Sequence, residues 1–220
     1  MPRAQREQLI LEVAGQVFAR AGYDSASMDE IAELVGVSKP ILYAYFGSKE
    51  GLYLAYVERA GRELVERLVG AWSRGGCSAS RLRAPVAEFL AFVEEHDDGW
   101  RVLFREAASS RPLAEQVAVL RGRIVDAIRQ MVESASADYP PPASDAVAHA
   151  LVAAGESLAN WWLDHREVPR DEAGGWYLNV VQAVLAGARG EIGEPGERVE
   201  PDARREPGER GEPGERAESL

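Results

Sequence analysis

A segment near the N-terminus carries polar side chains whose types and spacing favour contact with an anionic polymer. Ser38 and Lys39 stand at the predicted start of a short helix, where free backbone amides and the positive end of the helix dipole attract phosphate. Lys39 can reach a phosphate or a base edge, and the hydroxyls of Tyr43 and Tyr45 suit phosphate oxygens. Lys49 lies in the first turn of the next predicted helix, where a neighbouring phosphate would explain a lysine that the dipole disfavours. These residues predict contacts with DNA, and the alternative for any single one is a solvated surface side chain.

Two short helices joined by a glycine turn are predicted to position these side chains. Ser27 and Glu30 form the pattern of a capping box, in which the serine hydroxyl accepts from the third amide and Glu30 reaches back to the cap. Gly36 stands where a tight turn needs positive φ, and Pro40 is tolerated in the first turn of the second helix. The spacing predicts a helix-turn-helix over 27–46, whose second helix enters the major groove with its N-terminus forward. An ordinary helical hairpin is the alternative.

The second of these helices is rich in aromatic side chains, and one or two of them must pack in the core. Phe46 is the best core candidate, whereas Ala44 can offer DNA only an apolar contact, such as one to a thymine methyl group.

The overall charge is acidic, with 25 Lys and Arg against 36 Asp and Glu and a formal net charge of −11. This balance argues at first sight against nucleic-acid binding, but the face that carries the cations matters more than the sum. The only two lysines of the chain, Lys39 and Lys49, both belong to the segment described above. Residues 191–220 are rich in Gly, Pro, Glu and Arg, and are predicted to form a disordered acidic tail. Competition of this tail with phosphate for the DNA-binding surface is a minor hypothesis.

Composition and patterning predict a globular, all-α chain. Hydrophobic residues make up 46% of the 220, no apolar run approaches the length of a membrane span, and the polar N-terminus lacks the apolar core of a signal peptide, so we expect a cytoplasmic protein. Cys77 is the single cysteine, which excludes an intrachain disulfide and a thiolate metal cluster, and we expect no metal or cofactor. Apolar residues recur at helical spacing, and no sustained alternation predicts strands. Helices are predicted over Arg3–Ala21, 27–46 (two short helices), Ser48–Ser73, Arg81–Glu95, Asp98–Ala108, Pro112–Ser134, Ser144–His165 and Pro169–Ala188.

The stretch G-V-S-K-P-I-L-Y-A-Y-F-G-S-K-E-G-L-Y resembles the signature of TetR-family repressors, and the resemblance covers roughly residues 3–60. It implies a three-helix DNA-binding domain over 1–47, joined by a long fourth helix to a helical ligand-binding and dimerisation domain over 48–190. Position 40 is often glycine in the family and position 45 often histidine, so Pro40 removes an amide donor and Tyr45 changes the geometry of a contact. The residues that match DNA-contacting positions of the family, or stand among them, are Ser27, Ser38, Lys39, Pro40, Tyr43, Ala44, Tyr45 and Lys49.

The resemblance also implies a mode of action. The last two helices pair with their symmetry mates in a homodimer, which sets two recognition helices about one DNA turn apart over a pseudo-palindromic double-stranded operator. A small-molecule effector shifts the population of subunit arrangements and so changes operator affinity. Repression is the favoured interpretation, and the effector can be an inducer or a co-repressor.

The second half carries aromatic and aliphatic stripes that are candidates for an effector pocket, although such stripes more commonly form core. The patterns F-V-E-E-H-D-D-G-W-R-V-L-F and W-W-L-D-H-R-E-V-P-R-D-E-A also resemble actinobacterial TetR-type regulators of fatty-acid synthesis that sense long-chain acyl-CoA, which implies a long apolar effector. Arg101 and Arg105 could neutralise an anionic head group, and surface salt bridges are their commoner use. The candidate ligand-binding residues are Phe89, Phe92, Trp100, Phe104, Leu120, Ile124, Trp161 and Trp162.

Two other classes of protein are the alternatives to a regulator. An enzyme in a helical bundle would need paired carboxylate–histidine motifs on facing helices, and His96, His149 and His165 do not supply them. A helical interaction module that has lost DNA binding would show a disrupted segment over 38–49, which instead matches the pattern throughout. The sequence therefore favours a regulator over both.

Overall fold

The structure is a computed structural model that describes residues 1–75, 79–97, 100, 111–135 and 141–188. Within these ranges it is built from α-helices and contains no strand, which confirms the predicted all-α fold. The predicted helix over Asp98–Ala108, apart from Trp100, and the predicted tail over 191–220 lie outside the described residues. The described helices are α1 (Arg3–Ser25), α2 (Met28–Val35), α3 (Lys39–Phe46), α4 (Lys49–Arg74), α5 (Ala79–Glu95), α6 (Arg111–Ala135), α7 (Pro141–Leu163) and α8 (Arg170–Ala188).

Helices α1 to α3 surround a small core to which α4 contributes its first turns. Phe18 of α1 is fully buried and meets the ring of Tyr53 of α4 edge-on, with 5.0 Å between ring centroids. Tyr23 packs on the same Tyr53 ring at 5.0 Å. Gly22 adopts φ 75° inside α1 and breaks its regular path at the residue where the sequence predicted the end of the helix. The N-terminal bundle is thus held by an aromatic cluster centred on α4.

Helix α4 packs against α1 on one side and against α5 and α6 on the other. It approaches α1 so closely that a Cβ atom at Gly15 would lie 2.4 Å from Cε2 of Tyr56. It approaches α6 just as closely, since a Cβ atom at Gly61 would lie 1.8 Å from Cδ1 of Leu120. One continuous hydrophobic cluster therefore runs from α1 through α4 into the second half of the molecule.

Helices α7 and α8 pack on each other, and α7 also packs on α6. The Trp162 side chain is fully buried, and its indole Nε1 donates to the Val168 carbonyl at 2.9 Å. Its neighbour Trp161 points outward and stacks on His165 with 4.2 Å between ring centroids. In the described part of the chain, no helix combines the length and the apolar character that crossing a membrane would require.

Candidate functional site

The exposed face of α3 carries most of the side chains predicted to touch DNA. Lys39, Pro40, Tyr43 and Ala44 are all exposed, and the first two precede the last two by three to five residues, which places the pairs on one side of the helix. The buried Leu42 holds the opposite side against the core. Ser38 precedes the helix and is exposed as well; its backbone is in the N-cap conformation, but its side chain makes no capping hydrogen bond.

Phe46 packs against the core as predicted, although it is only partly buried, and Tyr45 does so too. The fully buried residue of α3 is Leu42. Tyr45 is also partly buried, 5.9 Å from the Phe46 ring, and the Arg3 guanidinium lies 5.3 Å from its ring centroid. Tyr45 therefore lies at the flank of the exposed face, where α3 meets the start of α1.

The turn between α2 and α3 has the predicted shape, whereas the cap at the start of α2 differs from the prediction. Gly36 adopts φ 74° and ends α2, as the sequence predicted. The predicted capping box over Ser27 and Glu30 is wrong in its partners: the Ser27 hydroxyl accepts from the amide of Asp29 at 3.2 Å, and the Glu30 carboxylate pairs with Arg20 of α1 instead. The first turn of α2 is thereby tied to α1.

Lys39 already has an anionic partner within the chain. Its Nζ donates to Oδ2 of Asp29 at 2.9 Å, and the hydrogen bond to this carboxylate raises the pKa of the Lys39 ammonium. Both side chains are largely exposed, so water and salt screen the pair. A phosphate arriving at α3 would compete with Asp29 for the same ammonium group.

Lys49 is held by two uncharged groups. Its Nζ donates to the backbone carbonyl of Asp24 at 2.8 Å and lies 4.9 Å from the centroid of the Tyr23 ring. Along the described ranges, no carboxylate forms an ion pair with it, so its charge remains available to an external anion. The expected phosphate contact stays a prediction, and the carbonyl and the ring give a second reason for a lysine at this position.

A second candidate site is an apolar slot enclosed by α4, α5, α6, α7 and α8. The cavity itself has a volume of about 100 Å³, and the unoccupied space reaches about 860 Å³ when the open mouth is counted. Side chains from its inner end, such as Leu64 and Phe89, are buried, whereas Trp72, Leu82 and Leu185 at the outer end are partly exposed. The slot thus opens where α4 and α8 end and α5 begins.

The predicted ligand-binding residues divide between the slot and other surroundings. Phe89, Trp100 and Ile124 line the slot. Phe92 instead packs on His96, and Leu120 packs on Gly61 of α4. Trp162 is buried away from the slot, Trp161 is 40% exposed on the outer surface, and Phe104 lies outside the described residues.

Glu156 is the charged residue among the described side chains that line the slot. Arg121 binds it through two hydrogen bonds, from Nε at 2.8 Å and from a terminal guanidinium nitrogen at 2.6 Å. Glu156 was not among the residues predicted from the sequence. A signal was present, because Glu156 is the single Asp or Glu in the apolar run from 146 to 163. Tyr177 also lines the slot; its hydroxyl donates to the Leu151 carbonyl at 2.8 Å, and burial is the main cause that raises its pKa.

Three potential metal ligands also come together, on α4 and at the end of α5. Donor atoms of Glu63, Glu95 and His96 all lie within 4.8 Å of one another. Arg67 lies between the two carboxylates, 2.7 Å from Glu63 and 2.5 Å from Glu95, and lowers the pKa of Glu95 chiefly by that hydrogen bond. The guanidinium already supplies the positive charge that the carboxylates need, so the cluster is explained as an ion-pair network joining α4 to α5.

Two family models match the chain. Residues 10–56 match the family described as bacterial regulatory proteins, tetR family, and residues 79–184 match the family described as tetracyclin repressor-like, C-terminal domain. The HTH-type transcriptional activator FasR of Mycolicibacterium smegmatis is 35% identical over 175 residues, which is 79% of this chain and 80% of the relative. A TetR-like transcriptional regulator from Rhodococcus is 35% identical with a TM-score of 0.67, covering 85% of this chain and 99% of that one. A tetR-family regulator from Streptomyces coelicolor is 30% identical with a TM-score of 0.73, covering 87% and 85%.

Proposed function

Because this chain belongs to the TetR family of DNA-binding transcriptional regulators, which are not enzymes, we propose that it binds a pseudo-palindromic operator as a homodimer and that a small apolar effector modulates this binding. The observation that carries the proposal is the exposed face of α3, defined by Lys39, Pro40, Tyr43 and Ala44. This face combines a cation, a phenol hydroxyl and small apolar groups, which suit the phosphates and base edges of a major groove.

The outer surface of α7 and α8 supports the proposed dimer. Trp161 and Trp176 are 40% and 42% exposed, and their ring centroids lie 5.9 Å apart. Val180, one turn further along α8, is exposed as well. Clustered aromatic side chains on a surface are typical of protein interfaces. A second copy of the same two helices would cover this patch across a two-fold axis.

The slot supports an effector with a long apolar part. Its lining is almost wholly aliphatic and aromatic, and Leu64, Leu68 and Trp72 of α4 form one wall. The same helix packs against α1 through Tyr56 and Gly15. An effector that favours one position of α4 would therefore bias the orientation of α3 relative to its symmetry mate.

Repression remains a prediction. FasR is named an activator, whereas the protein AcnR of Corynebacterium diphtheriae, 33% identical over 43% of this chain, is named a repressor. The helix-turn-helix alone does not decide between activation and repression, because both of these relatives are named HTH-type. A reporter gene downstream of the chain's own operator, with and without the regulator, would decide between the two.

Selection of DNA sequences by the purified protein tests the proposal. We expect a pseudo-palindrome with half-site centres about one helical turn apart, and weaker binding by Tyr43→Phe if its hydroxyl meets a phosphate. Tyr45→Phe tests the second predicted phenol contact, which comes from a partly buried ring beside Arg3. Absence of binding even at low salt, where phosphate contacts are strongest, would instead favour an interaction module that has lost DNA binding.

A further inference from the structure

The start of α1 brings a cation to the flank of α3. Arg3, the first residue of α1, is exposed, and its guanidinium carbon lies 5.3 Å from the centroid of the Tyr45 ring. This distance lies within the range of cation–π contacts, in which arginine is the more frequent cation. The Tyr45 ring itself is partly buried and packs against Phe46 and the hydrophobic core. A fixed aromatic ring of α3 therefore supports a side chain from another helix.

Arg3 keeps its charge and its N–H donors available. Among the described residues no carboxylate forms an ion pair with it, although Glu7 stands four residues further along α1, at the spacing of helical ion pairs. The first turn of α1 contains no acidic residue, and the helix dipole disfavours a cation there. The face of an aromatic ring occupies none of the donors at the edge of a guanidinium. An anion outside the chain would satisfy both the charge and the donors.

The flank of α3 is where a bound duplex would present phosphates. An α-helix with its side chains is about 10–12 Å across, and the major groove is about 12 Å wide, so a helix in the groove fills its width. Side chains at the flank then face the sugar-phosphate backbone rather than the base edges. Arg3 adds a cation to this flank, and its planar guanidinium can bind two phosphate oxygens at once.

We propose that Arg3 of α1 binds a DNA phosphate beside the groove that α3 occupies, and that Tyr45 is a positioning residue whose ring holds the guanidinium in place. This inference rests on the proposed function, because it takes α3 as the helix that enters the major groove. It extends the DNA-binding surface to the first residue of α1, outside the helix-turn-helix. It also assigns Tyr45 a role that depends on the ring and not on the hydroxyl.

The salt dependence of DNA binding by Arg3→Gln tests the phosphate contact. With the full chain and the operator recovered by DNA selection, we expect the slope of log affinity against log salt to fall by about 0.9 for each bound subunit. Affinity for operator and for unrelated duplex DNA should fall by similar factors, since phosphates carry no sequence information. Arg62→Gln removes the same charge from an exposed arginine in the middle of α4 and should keep the slope. An unchanged slope in Arg3→Gln, or a loss confined to the operator, would overturn the inference.

Two variants of Tyr45 separate the ring from the hydroxyl. Tyr45→Phe keeps the ring and should bind the operator as the unaltered chain does. Tyr45→Leu keeps an apolar side chain against Phe46 but lacks an aromatic face. It should bind about two- to tenfold more weakly for each subunit, because a free arginine must then be ordered on binding. Equal weakening by both variants would assign the contact to the hydroxyl and contradict the positioning role.

Combining the substitutions shows whether the two side chains act together. Because Tyr45 acts through Arg3, the loss caused by Tyr45→Leu should largely disappear in a chain that already carries Arg3→Gln. A purely structural role of Tyr45 would give the same loss in both backgrounds and would sink the inference. All of these outcomes differ from failure of the proposed function, in which the unaltered chain itself binds no DNA even at low salt.

Discussion

At the scale of single residues, the proposed DNA-binding surface contains a carboxylate that would compete with phosphate for Lys39. Asp29 holds the Lys39 ammonium at 2.9 Å, and this contact must open before a phosphate can take its place. We expect Asp29→Asn to raise operator affinity by roughly two- to fivefold, the range for release of one exposed ion pair. Fluorescence anisotropy with labelled operator measures it. Glu33→Gln removes the same charge from the same helix without touching Lys39, and an equal gain there would attribute the effect to net charge alone.

The prediction for Lys49 concerns salt dependence. Lys49→Ala should weaken binding to all DNA sequences by a similar factor and reduce the slope of log affinity against log salt by about 0.9 per lost phosphate contact. Lys49→Arg keeps the charge and should keep most of the slope. If the slope does not change in the alanine variant, the lysine serves only to bind the Asp24 carbonyl and the Tyr23 ring.

At the scale of elements, the turn between α2 and α3 depends on one backbone conformation. Gly36 has φ 74°, and a Cβ atom there would meet no other atom within 4 Å, so any penalty comes from the backbone alone. Gly36→Ala should lower the free energy of unfolding by about 1–2 kcal/mol. Gly122 of α6 also has open space around it but does not have a positive φ. Gly122→Ala should therefore raise the free energy of unfolding by about 0.5–1 kcal/mol. Urea denaturation of both alanine variants measures these free energies of unfolding. Equal changes in the two variants would contradict the role of positive φ at Gly36.

The elements themselves could be predicted from the sequence because apolar periodicity and glycine punctuation are local signals. The described helices begin and end within a few residues of their predicted bounds, and the turn at Gly36 is where positive φ was expected. What failed depends on tertiary packing. Leu42 is fully buried in α3, whereas the predicted core residue Phe46 packs against the core only in part. Glu30 does not cap α2 as predicted, because its carboxylate pairs with Arg20 of α1. A pattern of neighbouring residues does not reveal this contact between two helices.

The candidate DNA surface was more predictable than the slot for the same reason. One short helix defines the exposed face of α3, so spacing alone places its side chains together. Five helices define the slot, and whether Phe92 or Phe89 faces it depends on the rotation of α5 against its neighbours. Trp161 and Trp162 are adjacent on a helix and so point to different sides, and neither lines the slot.

At the scale of the whole molecule, the proposed dimer depends on the aromatic patch of α7 and α8. Trp176→Ala should weaken dimerisation tenfold or more, since exposed tryptophans are frequent hot spots of interfaces. Sedimentation velocity over a concentration series measures the change. Val69→Ala trims a similarly exposed apolar residue of α4 and should leave the dimer unchanged. Equal behaviour of the two variants would move the interface away from this patch.

The shared role of α4 has an evolutionary consequence. Because Leu64, Leu68 and Trp72 form a wall of the slot on the same helix that meets Gly15 through Tyr56, a substitution on this wall risks moving the DNA-binding bundle as well. The wall contributed by α8 packs chiefly on α5 and α7 instead. Lineages that acquire new effectors while keeping their operators should therefore diversify on α8 first and retain the α4 wall longest.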